Sequence, residues 1–362
     1  MIASLLAATL AVAALAPAVV APPVPTAEPP SPAEIMALPE PLRQQFHARV
    51  LSTTRAPEQR LRRMVDFLFS PDDLGMGYDI AANHTVAEAY ATRKANCLSF
   101  TLLAIALARE AGLQAYGQQI DDTLAWRQAE DTLYRTHHVN AGVRLRGGRQ
   151  LSVDVAWDQV IARKPPRQIS DARLLVHYYN NRAADLLEAG RLDDALRYAE
   201  VAKRLDPAYA VTWSNTGVLH LRNGDGAQAQ AHYLHALRLD PSSPGALSNL
   251  SAHYQRTGNV EAARQLQARL QRVQAKDPFH HFLQGTRHER EGDLERAVDD
   301  YRRAITLFPD EHRFHFGLAR VYSLMGDHRR AGKALARAER LSEGDNRRLY
   351  HAKLDALSRL AH

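Results

Sequence analysis

The chain contains a single cysteine, Cys97, so it has no intramolecular disulfide, and cysteine usage says nothing about its compartment. Lysine is also scarce, since only six of the 46 basic residues are lysine. No run of basic residues stands out and the net charge is only +6. These features indicate a solvated, arginine-rich surface, and no nucleic-acid partner is expected. The sequence also lacks a P-loop, a dinucleotide fingerprint and zinc-ligand spacing, so no cofactor is expected.

The N-terminal segment is apolar and has no charged side chain. Residues 3–21 end in small residues, and Ala16-Pro17-Ala18 resembles a signal-peptidase site. The pattern predicts a signal peptide over residues 1–21 and export to the periplasm, with no stable membrane span after cleavage. An uncleaved anchor or a buried helix is the alternative. Residues 22–34 are rich in proline, which predicts an extended tether.

The C-terminal half repeats every 34 residues. Glycine recurs at Gly190, Gly224, Gly258, Gly292 and Gly326, and an alanine follows each of them after five positions. Helical patterns flank each glycine, which predicts stacked helical hairpins.

This pattern resembles the tetratricopeptide repeat over about residues 173–345. The second unit carries the matching residues, which are Trp213, Gly217, Gly224, Ala229, Tyr233, Ala236 and Pro241. The resemblance implies an all-α solenoid of five repeats over residues 170–345 that binds a protein or peptide partner. An amphipathic helix over residues 346–362 would cap the solenoid, because a solenoid end needs a polar outer face.

Five side chains fall where the family register places the concave groove. They are Phe279, Phe282, Arg313, Phe316 and Arg320. They suggest a groove for an extended acidic or apolar peptide. The alternative is that they pack against neighbouring helices.

Residues 35–168 show a mixed helix and strand pattern, which predicts an α+β domain. Thr85 and Glu88 form a capping box, and an apolar helix follows Asn96 and stops at Gly112. The other patterns are helical at 40–51 and 56–69 and strand-like at 114–120, 138–146 and 150–157, with a linker at 164–167.

Cys97 stands at the predicted start of the apolar helix, directly after Asn96. The helix dipole and the unpaired N–H groups of the first turn favour a thiolate there, which makes Cys97 a candidate nucleophile. Those N–H groups would also stabilise an oxyanion. The alternative is that a lone cysteine between apolar residues is a core residue.

A hairpin at 138–157 supplies the partners that such a cysteine needs. Its apolar residues are all odd-numbered, so both strands share one apolar face only if the loop has an odd number of residues. A three-residue loop, Arg146-Gly147-Gly148, meets this condition. Asp154 then pairs with Asn140 and lies on the same face as His138, and diagonal to it. The alternative is that His138 and Asp154 are merely solvent-side residues.

Cysteine at a helix start, then histidine opening a strand, then aspartate on the next strand resembles the transglutaminase-like superfamily, a papain-like cysteine fold. The match covers roughly residues 70–160 and includes Arg93, Arg109 and Gly112, although Ala95 stands where glycine is usual and other departures surround the histidine and the aspartate. The resemblance implies a nucleophile at Cys97, a general base and acid at His138, and an orienting carboxylate at Asp154. It implies a cysteine amidase, protease or acyltransferase.

We therefore expect an exported cysteine enzyme whose repeats bind a protein. The alternative is a non-catalytic scaffold with a degenerate front domain. The 17 histidines include pairs at helical spacing, His232 with His235 and His312 with His315, but most lie at ordinary repeat positions, so no metal site is expected.

Overall fold

The computed structural model describes residues 28–121, 123–125, 128–129, 132–133, 138–155 and 160–360. The predicted signal peptide and the first part of the predicted tether lie outside these residues. Within them, we call residues 28–169 the front region and residues 170–360 the repeat region. The two regions follow one another along the chain and share a hydrophobic core.

The front region combines short helices with antiparallel strands, as the sequence predicts. The first helix begins inside the predicted tether, because Ser31 and Glu34 form a capping box around Pro32. The helices are α1 (Pro32–Met36), α2 (Glu40–Phe46, continued by a π-helical turn over His47–Leu51), α3 (Pro57–Phe69), α4 (Val86–Thr92) and α5 (Cys97–Glu110). The strands are β1 (Gly77–Tyr78), β2 (Lys94–Ala95), β3 (Gln114–Ile120), β4 (Thr123–Ala125), β5 (Gln128–Ala129), β6 (Thr132–Leu133), β7 (His138–Arg144), β8 (Gln150–Val153), β9 (Val160–Ala162) and β10 (Arg167–Ile169).

The main sheet has four strands in the order β10-β3-β7-β8, and every neighbouring pair is antiparallel. Strand β10 begins at Arg167, so the predicted linker ends as a strand that pairs with β3. Helix α5 packs against β7, where the Thr101 hydroxyl donates a hydrogen bond to the carbonyl of Val139. Eleven residues of α5 are buried, which explains why this segment is apolar on nearly all sides.

The repeat region consists of five helical hairpins and a final helix, as the 34-residue period predicts. The hairpins are α6 (Asp171–Glu188) with α7 (Leu192–Leu205), α8 (Ala210–Arg222) with α9 (Gly226–Leu239), α10 (Pro244–Arg256) with α11 (Val260–Gln274), α12 (Pro278–Glu291) with α13 (Leu294–Leu307), and α14 (His312–Leu324) with α15 (His328–Leu341); the final helix is α16 (Gly344–Leu360). Each recurring glycine has a positive φ of 73–83° and turns the chain between two helices.

Small residues let the two helices of a hairpin approach each other closely. A Cβ atom added to Gly217 would lie 2.5 Å from the ring of Tyr233, so this position requires glycine. Helix α16 covers the end of the solenoid, and Tyr350 is buried in its core. The predicted capping helix is therefore present.

Candidate active site

Cys97 is the first residue of α5. The side chain of Asn96 accepts a hydrogen bond from the backbone N–H of Ser99 at 2.9 Å, so Asn96 is the N-cap that the sequence predicts. Cys97 is partly exposed, and it is the free thiol of the chain. At this position the helix dipole and the first-turn N–H groups favour a negatively charged sulfur.

The hairpin that carries the other two candidates has the predicted register. Val143 lies opposite Leu151 and Ala141 opposite Val153, so that paired residue numbers always sum to the same even value. The three-residue loop is present, and both Gly147 and Gly148 adopt a φ of +80°. This register brings His138 and Asp154 together at the end of the hairpin.

His138 and Asp154 are in direct contact. The Nε2 atom of His138 lies 2.7 Å from Oδ2 of Asp154. His138 is only 2% exposed and the side chain of Asp154 is 10% exposed, so their hydrogen bond is shielded from water. Asn140 donates a second hydrogen bond to the same carboxylate oxygen at 3.1 Å, which helps to orient it. The even-numbered face of β7 is thus buried in this part of the sheet rather than facing solvent.

Cys97 lies close enough to His138 to affect its pKa, so the three predicted site residues are near one another. Burial lowers the pKa of His138, but its hydrogen bonds with Asp154 and with the Cys97 thiol outweigh burial and raise that pKa from 6.5 to about 9. A protonated imidazole therefore lies between a carboxylate and a sulfur at neutral pH.

The structure places the five predicted groove residues in two different environments. Phe279 is fully buried and Phe282 is 4% exposed, and both rings pack on Phe314. These two side chains are core residues and do not line a groove. The periodicity of their helix does not distinguish a groove face from a buried face. The alternative, that these residues pack against neighbouring helices, therefore applies to Phe279 and Phe282.

The other three predicted groove residues lie together near the end of the solenoid. Phe316 is partly buried, and the guanidinium of Arg320 lies 5.6 Å from the centre of its ring. The ammonium of Lys353, on α16, lies 5.8 Å from the same ring. Arg320 also donates two hydrogen bonds to Glu289, at 2.8 and 2.6 Å, and Arg313 is partly exposed nearby. Sequence analysis missed Lys353, because only the fold brings the last helix against α14.

The histidine pairs are engaged in packing contacts. The ring of His235 lies 3.9 Å from that of Trp213, and His312 Nδ1 lies 2.9 Å from the hydroxyl of Tyr350. No group of three or more histidine, cysteine, aspartate or glutamate side chains arranged to hold a metal ion occurs in the described part of the chain. None of the described helices combines the length and the apolar character that crossing a bilayer requires.

Comparisons with known proteins identify the repeats. Residues 215–280 and 282–346 match the family model of the tetratricopeptide repeat. A 73-residue stretch is 42% identical to the Hsp70-Hsp90 organizing protein of Triticum aestivum, and it spans 20% of this chain but only 13% of that protein.

Solved structures of repeat proteins are similar at lower identity. MamA from Desulfovibrio magneticus RS-1 is 20% identical and aligns with 46% of this chain and 94% of its own, with a TM-score of 0.26. YrrB, described as "a TPR protein with an unusual peptide-binding site", is 20% identical and aligns with 49% of this chain and 90% of its own, with a TM-score of 0.27. Because the family model matches two consecutive stretches of the hairpin array, the C-terminal part of this chain is a helical solenoid of tetratricopeptide repeats.

Proposed function

We propose that this protein binds a peptide or protein partner on its repeats and carries a cysteine acyl-transfer site in its front region. The tetratricopeptide repeat match supports the binding role. The observation that carries the catalytic role is the buried pair of His138 and Asp154, whose Nε2 and Oδ2 atoms are 2.7 Å apart, together with the influence of the nearby Cys97 thiol on the pKa of His138. The transglutaminase-like fold and the export to the periplasm belong to this proposal as well.

The geometry suggests a two-step reaction. The Cys97 thiolate would attack the carbonyl carbon of a carboxamide or peptide, and a carbon–sulfur bond would form. Protonated His138 would donate its proton to the leaving amine as the carbon–nitrogen bond breaks. Neutral His138 would then take a proton from water or from an acceptor amine, which attacks the thioester and releases Cys97. Asp154 would hold the imidazole in position throughout.

The start of α5 offers donors for the transition state. Ser99 N–H is occupied by the Asn96 cap, whereas the N–H groups of Cys97 and Leu98 precede it in the first turn. These groups would stabilise the oxyanion that develops on the carbonyl oxygen. Hydrolysis and amide exchange share this site, because they differ only in the group that attacks the thioester.

Alkylation of Cys97 tests the catalytic role. We expect iodoacetamide to modify Cys97 in the folded wild-type protein at neutral pH, because only the thiolate reacts. His138→Ala should slow the reaction at neutral pH at least tenfold, since the cation that stabilises the thiolate is gone. Asp171→Ala, which removes an exposed carboxylate from α6, is the matched control and should react like the wild type. A thiol that reacts only after unfolding would contradict the proposal.

The second candidate function is that of a scaffold in which the cysteine site is inactive. The repeat match favours it, and the cluster of Arg313, Phe316, Arg320 and Lys353 provides a surface that would suit an acidic peptide with an apolar side chain. A carboxylate of the peptide would pair with Lys353, because Arg320 is already bonded to Glu289, and the apolar side chain would pack on the ring of Phe316.

Fluorescence polarisation with a glutamate-rich peptide that contains one aromatic residue tests this surface. We expect Lys353→Glu to weaken binding about tenfold, and Lys333→Glu, the same charge change at an exposed position of α15, to leave binding unchanged. The same peptide with lysine in place of glutamate should not bind. Equal binding of both peptides would contradict the assignment of this surface.

A further inference from the structure

Helix α5, which begins with Cys97, is connected to the first repeat by side-chain hydrogen bonds at both of its ends. Near the C-terminal end of α5, Arg109 donates two hydrogen bonds to Asp171 of α6, at 2.7 and 2.8 Å. At the N-terminal end, Asn96 is connected through Asn83 to Asp185 of α6. The two attachment points are about 14 residues apart on each helix, or about 20 Å, so α5 and α6 run antiparallel and side by side.

The connection at the Cys97 end is a chain of three polar side chains. The amide nitrogen of Asn83 donates to both carboxylate oxygens of Asp185, at 3.0 and 2.8 Å. The amide oxygen of Asn83 accepts hydrogen bonds from Asn96 and, at 3.2 Å, from Asn181 of α6. Asn83 and Asn96 are buried, at 7% and 5% exposure, so competing water is largely excluded.

The carboxylate of Asp185 and the backbone N–H of Ser99 fix the directions of the hydrogen bonds in this chain from its two ends. An ionised carboxylate can only accept, so Asn83 must turn its nitrogen toward Asp185 and its oxygen toward Asn96. Asn96 must then use its nitrogen for Asn83, which leaves its oxygen to accept from the N–H of Ser99. That last bond is the N-cap of α5. A residue of the repeat region is therefore linked, through Asn83, to the side chain that caps the helix that begins with Cys97.

We propose that Asp185 and Asn83 are positioning residues for the Cys97 site, and that the reactivity of the thiol depends on the first repeat. The predicted effect on thiol reactivity rests on the proposed cysteine chemistry. The predicted effect on the cap of α5 does not depend on that chemistry. Without Asp185, the Asn83 amide loses the acceptor that holds its nitrogen and can reverse, so Asn96 loses the hydrogen bond that positions it and the cap of α5 is weakened. Cys97 then loses its fixed place beside His138.

Two measurements on full-length variants test the inference. In hydrogen exchange followed by mass spectrometry, Asp185→Ala should speed the exchange of peptides that cover the first turn of α5 by about tenfold relative to the wild type. In alkylation by iodoacetamide across a pH series, the same variant should lose about tenfold in rate at neutral pH while the rate at high pH stays unchanged. Asp185→Asn keeps one acceptor oxygen, so its exchange rate and its alkylation rate should lie between those of Asp185→Ala and the wild type.

Asp171→Ala is the matched control, because it removes an aspartate of the same helix whose partner is at the other end of α5. It should leave both the first-turn exchange and the alkylation profile as in the wild type. If Asp185→Ala fails to fold, the milder Asp185→Asn carries the test, with a thermal unfolding transition to show that it is folded.

The possible results separate the two proposals. A wild-type thiol that is unreactive when folded would refute the cysteine chemistry, and the exchange data would still show whether Asp185 caps α5. A reactive wild-type thiol with unchanged exchange and alkylation in Asp185→Ala would overturn the positioning role and leave the chemistry intact. An equal loss of alkylation rate in Asp185→Ala and Asp171→Ala would also overturn the positioning role, because the effect would then come from general loosening of α6.

Discussion

The buried contact between His138 and Asp154 should make the stability of this protein depend on alkaline pH in a defined way. The pKa of His138 is raised from 6.5 in the unfolded chain to about 9 in the folded state. A raised pKa means that the folded state binds the proton more tightly, so the stabilisation is fully present below about pH 6.5 and is lost as the pH rises through about 9. A difference of this size corresponds to about 3 kcal/mol.

Asp154→Ala removes the acceptor that holds this proton. We expect urea unfolding to show a greater loss of stability at about pH 6 than at about pH 10, where His138 is largely neutral in both proteins; the difference is a part of this total of about 3 kcal/mol, because Cys97 also raises the pKa of His138. The loss of the Asn140 hydrogen bond to Asp154 adds a penalty that is the same at both pH values. The pH-dependent part therefore isolates the contact with His138.

Asp171→Ala is the control for this experiment as well, because its partner Arg109 stays charged over the whole range. Its effect on the free energy of unfolding should be small and equal at both pH values. If Asp154→Ala lowers the free energy of unfolding by the same amount at pH 6 and at pH 10, the assignment of a shared proton to His138 and Asp154 is wrong.

Three further predictions concern the fold. Gly217→Ala should destabilise the protein by about 1–3 kcal/mol in thermal unfolding because the new methyl group meets the ring of Tyr233. Gly245→Ala, at an exposed helix position where the methyl group makes only an ordinary contact with Ser214 at 3.8 Å, should be neutral or stabilising. Burial lowers the pKa of His312 to about 4, so its stabilisation is present above about pH 6.5 and is lost as the pH falls through about 4; His312→Gln should show less acid sensitivity of the melting temperature than the wild type. A fragment of residues 28–169 should lack a near-ultraviolet circular dichroism signal, because helices of the first repeat complete its core; a native-like spectrum would show that the front region folds alone.

Local patterns in the sequence predict much of this structure. The parity of the apolar positions fixes the register of the hairpin, and the register brings His138 to Asp154. Asn96 is identified as a cap by its type and its place before an apolar run. The glycine period predicts every helical hairpin, because each turn requires a positive φ that glycine adopts without strain.

Contacts between distant segments could not be predicted in this way. Asn83 and Asp185 are 102 residues apart, and no periodic pattern links an asparagine before one helix to an aspartate near the end of another. The family register places Phe279 and Phe282 at groove positions, but their packing against Phe314 buries both side chains. The sequence gives no signal for strand β10, which begins at the last residue of the predicted linker, because its pairing with β3 depends on the sheet as a whole.

The protonation state of His138 is the most direct test of the central claim, which is that Cys97, His138 and Asp154 act as one unit. Nitrogen-15 NMR of the histidine side chains, recorded across a pH series in the wild type, Cys97→Ala and Asp154→Ala, reports that state. The account predicts a wild-type imidazole that is protonated at neutral pH and titrates near pH 9, with a lower midpoint in both variants. An imidazole that is already neutral at pH 7 in the wild type, or a midpoint that neither substitution changes, would contradict it.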